Sequence, residues 1–218
     1  MNNFLVLGTG ADINNIDFSQ INHKWITAGV NRIHEKIIPD YFFCYDAKEV
    51  VPNLPDTIKT IYTHPGKLAE YFRGSFDIKK NYCSYYDEDY TPGFRLHGKR
   101  FDCGHGSISY LIRTFNNYLY KGQENIFYLA GVPLLEDIGH FYDDSNDEAT
   151  TQISLDRFFN DFLRLVDQGF AMVSLMKESR LNDILPVKDL EIIYNPPIFY
   201  NHNGDFKKKI KEYIDAIS

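Results

Sequence analysis

One stretch of the sequence contains the side chains best suited to proton transfer. His140 lies in the glycine- and aspartate-rich run 139–144, and the ordinary pKa of histidine is close to neutral pH. Three carboxylates close by in the sequence are candidates to orient its ring: Asp137, Asp143 and Asp144. Tyr142 would donate a hydrogen bond to a leaving phosphate or a substrate hydroxyl. The run therefore predicts a general base at His140; the alternative is a surface-loop histidine without a role.

A second candidate site follows the first apolar run of the chain. Gly8, Thr9 and Gly10 come directly after Phe4–Leu7, and Ala11 and Asp12 follow them. Glycines let the backbone approach a phosphate closely, and free amides would act as donors to it. The pattern is shorter than the dinucleotide-binding GxGxxG motif, and a tight turn is the alternative interpretation.

Two further strand ends carry polar side chains. Asn31 follows the second apolar run, where its amide would bind a base or ribose. Asp46 follows the third run and is expected on the same rim. A helix-capping or turn role is the alternative for both.

A glycine-rich turn precedes a predicted helix and is a candidate anion site. Gly104, His105, Gly106 and Ser107 combine backbone amides, an imidazole and a helix N-terminus. Ser107 is also an ordinary N-cap, a role compatible with ligand binding. Gly131 follows the later apolar run Asn125–Ala130 and is expected to contact the same bound nucleotide.

Two acidic residues in an irregular stretch have the spacing of a metal-binding DxD motif. Asp87 and Asp89 would hold a divalent ion against a diphosphate. Such patterns are common by chance, so a solvated acidic loop is the preferred interpretation and no metal residue is assigned. The cysteines, Cys44, Cys83 and Cys103, are too scattered for a zinc site.

These residues lie between elements that alternate in the manner of an α/β protein. Continuous apolar runs predict strands of a mostly parallel sheet covered on both faces. The runs are Phe4–Leu7, Trp25–Val30, Tyr41–Tyr45, Thr60–Thr63, Asn125–Ala130 and Phe170–Leu175. Helices are predicted over Ser107–Tyr120, Ser154–Gln168 (closed by Gly169) and Phe206–Ile217. The fold class is a Rossmann-like, doubly wound α/β sheet, with a lid-like irregular insertion at 82–106.

Composition sets the broad class of the protein. The 218 residues are 44% hydrophobic, enough for the core of one domain spanning 1–218. The net charge of −7 disfavours non-specific binding of nucleic acid. An odd cysteine count, no secretory leader and no long apolar run predict a cytoplasmic protein without a membrane span.

Over residues 4–175 the motifs together resemble the bacterial sialyltransferases that use CMP-sialic acid, and related phage and bacterial glycosyltransferase-like proteins. The resemblance rests on the glycine loop at Gly8–Asp12, on Gly29–Ile33, on Pro39–Asp46, on Glu124–Val132 and on Gly139–Ser145. The family's loop usually continues Pro-Ser, where this chain has Ala11 and Asp12. An acidic residue usually follows the later strand in the position that Pro133 occupies here.

The resemblance implies a GT-A-type fold and an assignment of roles. Gly8, Thr9, Gly10 and Asn31 would hold the nucleotide, and the turn from Gly104 to Ser107 would contact the donor. His140 would deprotonate the acceptor hydroxyl, and Tyr142 would assist the leaving phosphate. Members of this family need no metal for catalysis.

The leading hypothesis is thus a glycosyltransferase that takes a nucleotide sugar as co-substrate and a glycan as acceptor, without a bound cofactor. One alternative is a phage-type DNA glycosyltransferase acting on a hydroxymethylated base, which the basic cluster Lys207–Lys211 would serve. Another is a non-catalytic nucleotide-binding protein, for which the substitution by Pro133 is the best support. A dinucleotide-dependent oxidoreductase is disfavoured by the short glycine motif and by the lack of an acid closing the second strand.

Overall fold

Seven strands form one parallel sheet. The computed structural model describes residues 1–45, 47–70, 77, 79–85, 94–96, 99–101, 106–135, 138–141 and 152–196. The strands are β1 (Asn2–Leu7), β2 (Ile26–Val30), β3 (Tyr41–Phe43), β4 (Thr60–Tyr62), β5 (Asn81–Cys83), β6 (Phe94–Leu96), β7 (Lys99–Phe101), β8 (Asn125–Ala130) and β9 (Ala171–Ser174). The sheet order is β5-β4-β3-β2-β1-β8-β9, while β6 and β7 form a separate antiparallel pair. This confirms the predicted Rossmann-like α/β class.

All six predicted strands are present, and each lies in the parallel sheet. The sequence did not predict β5, because its three residues include only one large apolar side chain, Tyr82. Parallel pairing with β4 fixes the position of β5 in the sheet, with Ile61 opposite Tyr82. The antiparallel pair β6–β7 was not predicted either, and most of the predicted insertion at 82–106 lies outside the described residues.

The sheet is covered on both faces, as continuous apolar strands require. In β1, Phe4 and Val6 point into one core, while Leu5 and Leu7 point into the other. The helices are α1 (Ala47–Val50), α2 (Pro65–Glu70), α3 (Ser107–Thr114) and α4 (Gln152–Asp167). Side chains of α3 and α4 fill the first core, and short helical turns together with α1 cover the second. None of the described helices is long and apolar enough to cross a membrane.

The two described helices of the first core match their predictions closely. α3 continues from Phe115 to Leu119 as a π-helical turn, so that helical backbone covers most of Ser107–Tyr120. α4 ends at Asp167, and Gly169, with φ +82°, closes it while the Phe170 amide donates back to Leu165. The predicted helix Phe206–Ile217 lies outside the described residues.

The order of the strands creates a crevice beside β1. The chain builds β2 to β5 on one side of β1 and then places β8 and β9 on the other. β1 pairs in parallel with both neighbours, with Leu7 opposite Gly29 of β2 and Ala130 of β8. The direction in which the chain adds strands therefore reverses between β1 and β8, and the carboxyl edge at such a reversal is where ligands bind in open α/β folds.

A buried ion pair joins α3 to α4. The Arg113 guanidinium lies 2.5 Å from the Asp161 carboxylate, and the two side chains are only 3% and 1% exposed. The Ser109 hydroxyl donates to the same carboxylate. Because both charges are removed from water, each depends on the other for compensation.

Removing one charge of this pair should therefore be far more costly than removing a surface charge. We expect Asp161→Asn to lower the free energy of unfolding by about 3–5 kcal/mol, because it leaves Arg113 buried and uncompensated. Glu35→Gln breaks the half-exposed pair with Arg32 and should cost at most ~1 kcal/mol. Urea unfolding of both variants measures the difference. Equal losses would contradict the assignment, and the double variant R113M/D161L should recover much of the stability.

Candidate functional site

The crevice beside β1 opens into a cavity of about 270 Å³. Its walls come from the loops after β1, β2, β3 and β8, from the start of α3 and from one face of α4. Eight of the residues singled out in the sequence line it: Gly8, Thr9, Gly10, Asn31, Gly106, Ser107, Gly131 and His140. Residues from five separate parts of the chain thus meet at one place.

Several other sequence candidates lie outside the described residues. These are Asp46, Gly104, His105 and Tyr142, the acidic pair Asp87 and Asp89, and the three carboxylates Asp137, Asp143 and Asp144. Their roles stay predictions. Among the residues that the structure describes, no group of three or more metal-ligating side chains occurs.

Backbone hydrogen bonds occupy three amides of the glycine loop, those of Gly8, Gly10 and Ala11. Gly8 N–H donates to Ala130 O at 2.8 Å, and Gly10 N–H donates to Gly131 O at 2.9 Å. Ala11 N–H donates to Gly139 O at 2.8 Å. The expectation that these amides are free to meet a phosphate is therefore wrong. The loop is tied to the neighbouring loop after β8 instead.

The glycines are required by the close approach of these two loops. A Cβ added at Gly8 would lie 2.1 Å from Gly131 O, and one at Gly10 would lie 2.5 Å from Pro133 Cδ. The first of these neighbours is backbone, so it cannot rotate away. The sequence motif thus marks a packing requirement that brings the first loop of the sheet against the loop after β8.

The N-terminus of α3 supplies the donors that the glycine loop does not. Gly106 is the N-cap, so Ser107 is the first helical residue and not the cap that the sequence suggested. No described side chain caps the first turn, and the first backbone bond of the helix is made by Tyr110 N–H to Gly106 O. The Ser107 and Ile108 amides therefore lie at the cavity wall at the positive end of the helix dipole.

Strained backbone is concentrated in the cavity wall. In the part of the chain that the structure describes, Asn31 (φ 50°) and Leu134 (φ 53°) are the non-glycine residues with positive φ, and both line the cavity. Gly131 (φ 72°) also lines the cavity. Each such non-glycine conformation costs about 1–3 kcal/mol, and strain of this kind clusters at ligand sites. Asn31 also fixes the neighbouring strand end, since its Oδ1 accepts from Tyr45 N–H at 3.0 Å.

Three residues of the segment after β9 form hydrogen bonds with the loop after β8, which contains Gly131 and Leu134. Gly131 N–H donates to the Met176 sulfur, the Ser179 hydroxyl donates to Val132 O, and Arg180 N–H donates to Pro133 O. Sequence reasoning missed these three supporting residues. They act on backbone atoms more than 40 positions away, so no local pattern marks them.

His140 is held in strand-like pairing with the glycine loop. It forms an antiparallel bridge with Gly10, and Phe141 N–H donates to Thr9 O at 2.9 Å. The His140 Nδ1 lies 2.8 Å from the Thr9 hydroxyl. The Lys36 ammonium lies 5.1 Å from the centre of the Phe141 ring, which further fixes this segment. His140 is thus a positioned cavity residue and not a stray surface histidine.

The described lining of the cavity contains both polar groups and apolar side chains. The polar groups are hydroxyls, the Asn31 amide, the His140 ring and the start of α3. The apolar side chains include Pro133, Leu134, Leu135, Ile138, Leu155, Phe158 and Phe162. No Lys, Arg, Asp or Glu side chain is among the described lining residues. A mostly apolar cavity with a few convergent polar groups is typical of small-molecule binding sites.

Asp12 carries a buried carboxylate behind the glycine loop. Both of its oxygens are buried, and no described side chain donates a hydrogen bond to them. Burial raises the pKa of Asp12 from 3.8 to about 6, and the backbone N–H groups of Asp12 and Ile13 offset only part of that rise. Because the folded state prefers the neutral acid, protonated Asp12 contributes to the free energy of unfolding. This contribution is fully present below pH 3.8 and is lost as the pH rises through about 6.

The variant Asp12→Asn should therefore stabilise the protein at neutral pH but not in acid. Partial solvent screening limits the gain to ~1 kcal/mol, so that Tm at pH 7.5 should rise by about 2–4 °C. Asp17→Asn is the control, because hydrogen bonds from Ser19 and Gln20 lower the pKa of that carboxyl; it should not raise Tm. Thermal unfolding at pH 4 and 7.5 tests this, and equal gains at both values would contradict it.

Comparisons of the chain with models of protein families, with curated proteins and with solved structures find no match. What the cavity does is therefore inferred from its own residues and geometry.

Proposed function

We propose that the protein is a glycosyltransferase that takes a nucleotide-activated sugar as donor. The observation that carries the proposal is the convergence on one cavity beside β1 of a positioned histidine, a helix N-terminus that no described side chain caps, and apolar side chains. This is the place where open α/β sheets bind nucleotides. The motif resemblance to bacterial sialyltransferases supports the same class of reaction.

The α3 amides at Ser107 and Ile108 would bind the phosphate of the donor. The N-terminus of a helix compensates negative charge with its amides and its dipole. The described lining adds no Lys or Arg side chain to these groups, which favours a nucleoside monophosphate sugar over the more highly charged diphosphate sugar. A CMP-sugar is the first candidate donor on this ground as well as by resemblance.

In the proposed reaction, His140 removes the proton from the acceptor hydroxyl as its oxygen attacks the anomeric carbon. The new glycosidic C–O bond forms while the bond from that carbon to the phosphate oxygen breaks. The proton stays on His140, and the bonding electrons leave with the nucleotide phosphate. The α3 N-terminus, preorganised before the reaction, stabilises the charge that develops there.

Ligand binding is the first test. In a thermal-shift screen, a CMP-sugar should raise Tm without added metal, because a ligand that binds only the folded state stabilises it by mass action. UDP-, GDP- and TDP-sugars, each with and without Mn²⁺, complete the panel. A hit that requires Mn²⁺ would turn attention to Asp87 and Asp89 as metal ligands. Silence across the whole panel would overturn the proposal.

Loss of the histidine should remove turnover but leave binding. We expect His140→Ala to lower kcat at least 100-fold, in line with general-base contributions of about 10²–10⁴. His23→Ala is the matched control, because His23 is exposed. Product formation by mass spectrometry measures the effect. An unchanged rate in His140→Ala would exclude His140 as the base.

One observation favours a second function, a binding protein that performs no transfer. In the sialyltransferases that the chain resembles, an acidic residue usually stands at the position of Pro133. In this chain the Pro133 ring packs against Gly10 instead. That function predicts a nucleotide-induced rise in Tm without turnover, so hydrolysis or transfer of any nucleotide sugar would exclude it. The Lys207–Lys211 cluster that would serve a DNA acceptor lies outside the described residues; a gel shift with duplex DNA tests that alternative.

A further inference from the structure

We infer that Thr9 is a positioning residue that sets the orientation and the tautomer of His140. The inference deepens the proposed function and rests on it. Its basis is the 2.8 Å contact between the Thr9 hydroxyl and the His140 Nδ1. Sequence reasoning assigned Thr9 to the nucleotide and expected a carboxylate to orient the histidine, so the contact gives Thr9 a different task.

The contact is fixed by the sheet on one side and by backbone pairing on the other. Thr9 follows the fully buried end of β1. The preceding residue, Gly8, is fixed by the hydrogen bond that its N–H donates to Ala130 O. The Phe141 amide donates to Thr9 O, and His140 pairs with Gly10. Two residues far apart in sequence are thus held face to face before any ligand arrives.

Burial makes the contact selective. Thr9 is only 7% exposed, so water competes little for its hydroxyl. Threonine also has a stiff side chain, because branching at Cβ restricts χ1. The hydroxyl therefore presents its oxygen to one ring nitrogen in a narrow range of directions.

The direction of this hydrogen bond decides whether His140 can act as a base. If the hydroxyl donated to Nδ1, Nε2 would carry the ring proton and could not accept another. If Nδ1–H donates to the Thr9 oxygen, Nε2 carries the lone pair and can take the proton of an acceptor hydroxyl. The proposed reaction requires the second arrangement.

The same bond grows stronger during the reaction. When Nε2 takes a proton the ring becomes an imidazolium, and its Nδ1–H then makes a charge-assisted hydrogen bond to Thr9. An interaction that is stronger in the transition state than in the ground state raises kcat and leaves substrate binding largely unchanged. Thr9 would thus act through His140 without touching the reacting atoms.

The test compares Thr9→Val, which removes the hydroxyl at nearly constant shape, with Thr9→Ser, which keeps it. Thr114→Val is the control, because Thr114 is a buried threonine in α3 whose hydroxyl has no described partner. The first readout is the ¹⁵N NMR spectrum of the His140 ring in the ligand-free protein, which reports the tautomer without any substrate. The second is the pair kcat and KM with the best donor of the screen.

We expect the Nδ1–H tautomer in wild type, Thr9→Ser and Thr114→Val, and a mixed or Nε2–H population in Thr9→Val. We expect kcat of Thr9→Val to fall roughly tenfold with KM unchanged, the effect of one hydrogen bond. In a His140→Ala background, Thr9→Val should cause no further loss, since the two act as one unit.

Two results would overturn the inference: an Nε2–H tautomer in wild type, or an unchanged tautomer and kcat in Thr9→Val. A protein that turns over no nucleotide sugar would refute the proposed function instead. The NMR arm would still decide whether Thr9 controls the ring of His140. The two failures are therefore distinguishable.

Discussion

The close approach of two backbones at Gly8 and Gly131 is the constraint on which the candidate site depends. A side chain at Gly8 would collide with the Gly131 carbonyl, so the loops after β1 and β8 can meet only if residue 8 is glycine. Their contact continues the parallel pairing of the two strands past the edge of the sheet. The segment that contains His140 then pairs with the loop after β1 through an antiparallel bridge between His140 and Gly10. The histidine is positioned by the sheet itself.

Strain and support are balanced around this contact. The loop after β8 contains Leu134 in a left-handed conformation, which is strained for a residue other than glycine and which a loop without support would relax. Bonds from Met176, Ser179 and Arg180 hold its amide and carbonyl groups in place. A turn that served only to reverse the chain would have no use for this arrangement. The strain is therefore best understood as the cost of presenting a cavity wall in one defined shape.

The sequence predicted the sheet, two helices and eight of the residues that line the cavity, but not the reasons why those residues meet. Apolar runs and strand-end position sufficed for Gly8, Asn31 and His140, because parallel strands bring their carboxyl ends to one edge. The roles of the glycines and of Thr9 depend on distances between loops more than 120 residues apart, which no local pattern encodes. For the same reason β5 was missed: neighbouring strands, and not its own composition, define it.

The cavity divides its tasks between two supports. The side that would perform chemistry, around Thr9 and His140, is bound to the sheet by short backbone hydrogen bonds. The apolar side comes partly from the loop after β8 and partly from α4, which is joined to α3 by the pair Arg113–Asp161. Because the α4 residues that line the cavity, Leu155, Phe158 and Phe162, are apolar side chains on a separate helix, they can change without breaking the contact between Thr9 and His140. Under the proposed function, substitutions along α4 would change the choice of donor, while the groups that transfer the proton would stay fixed to the sheet.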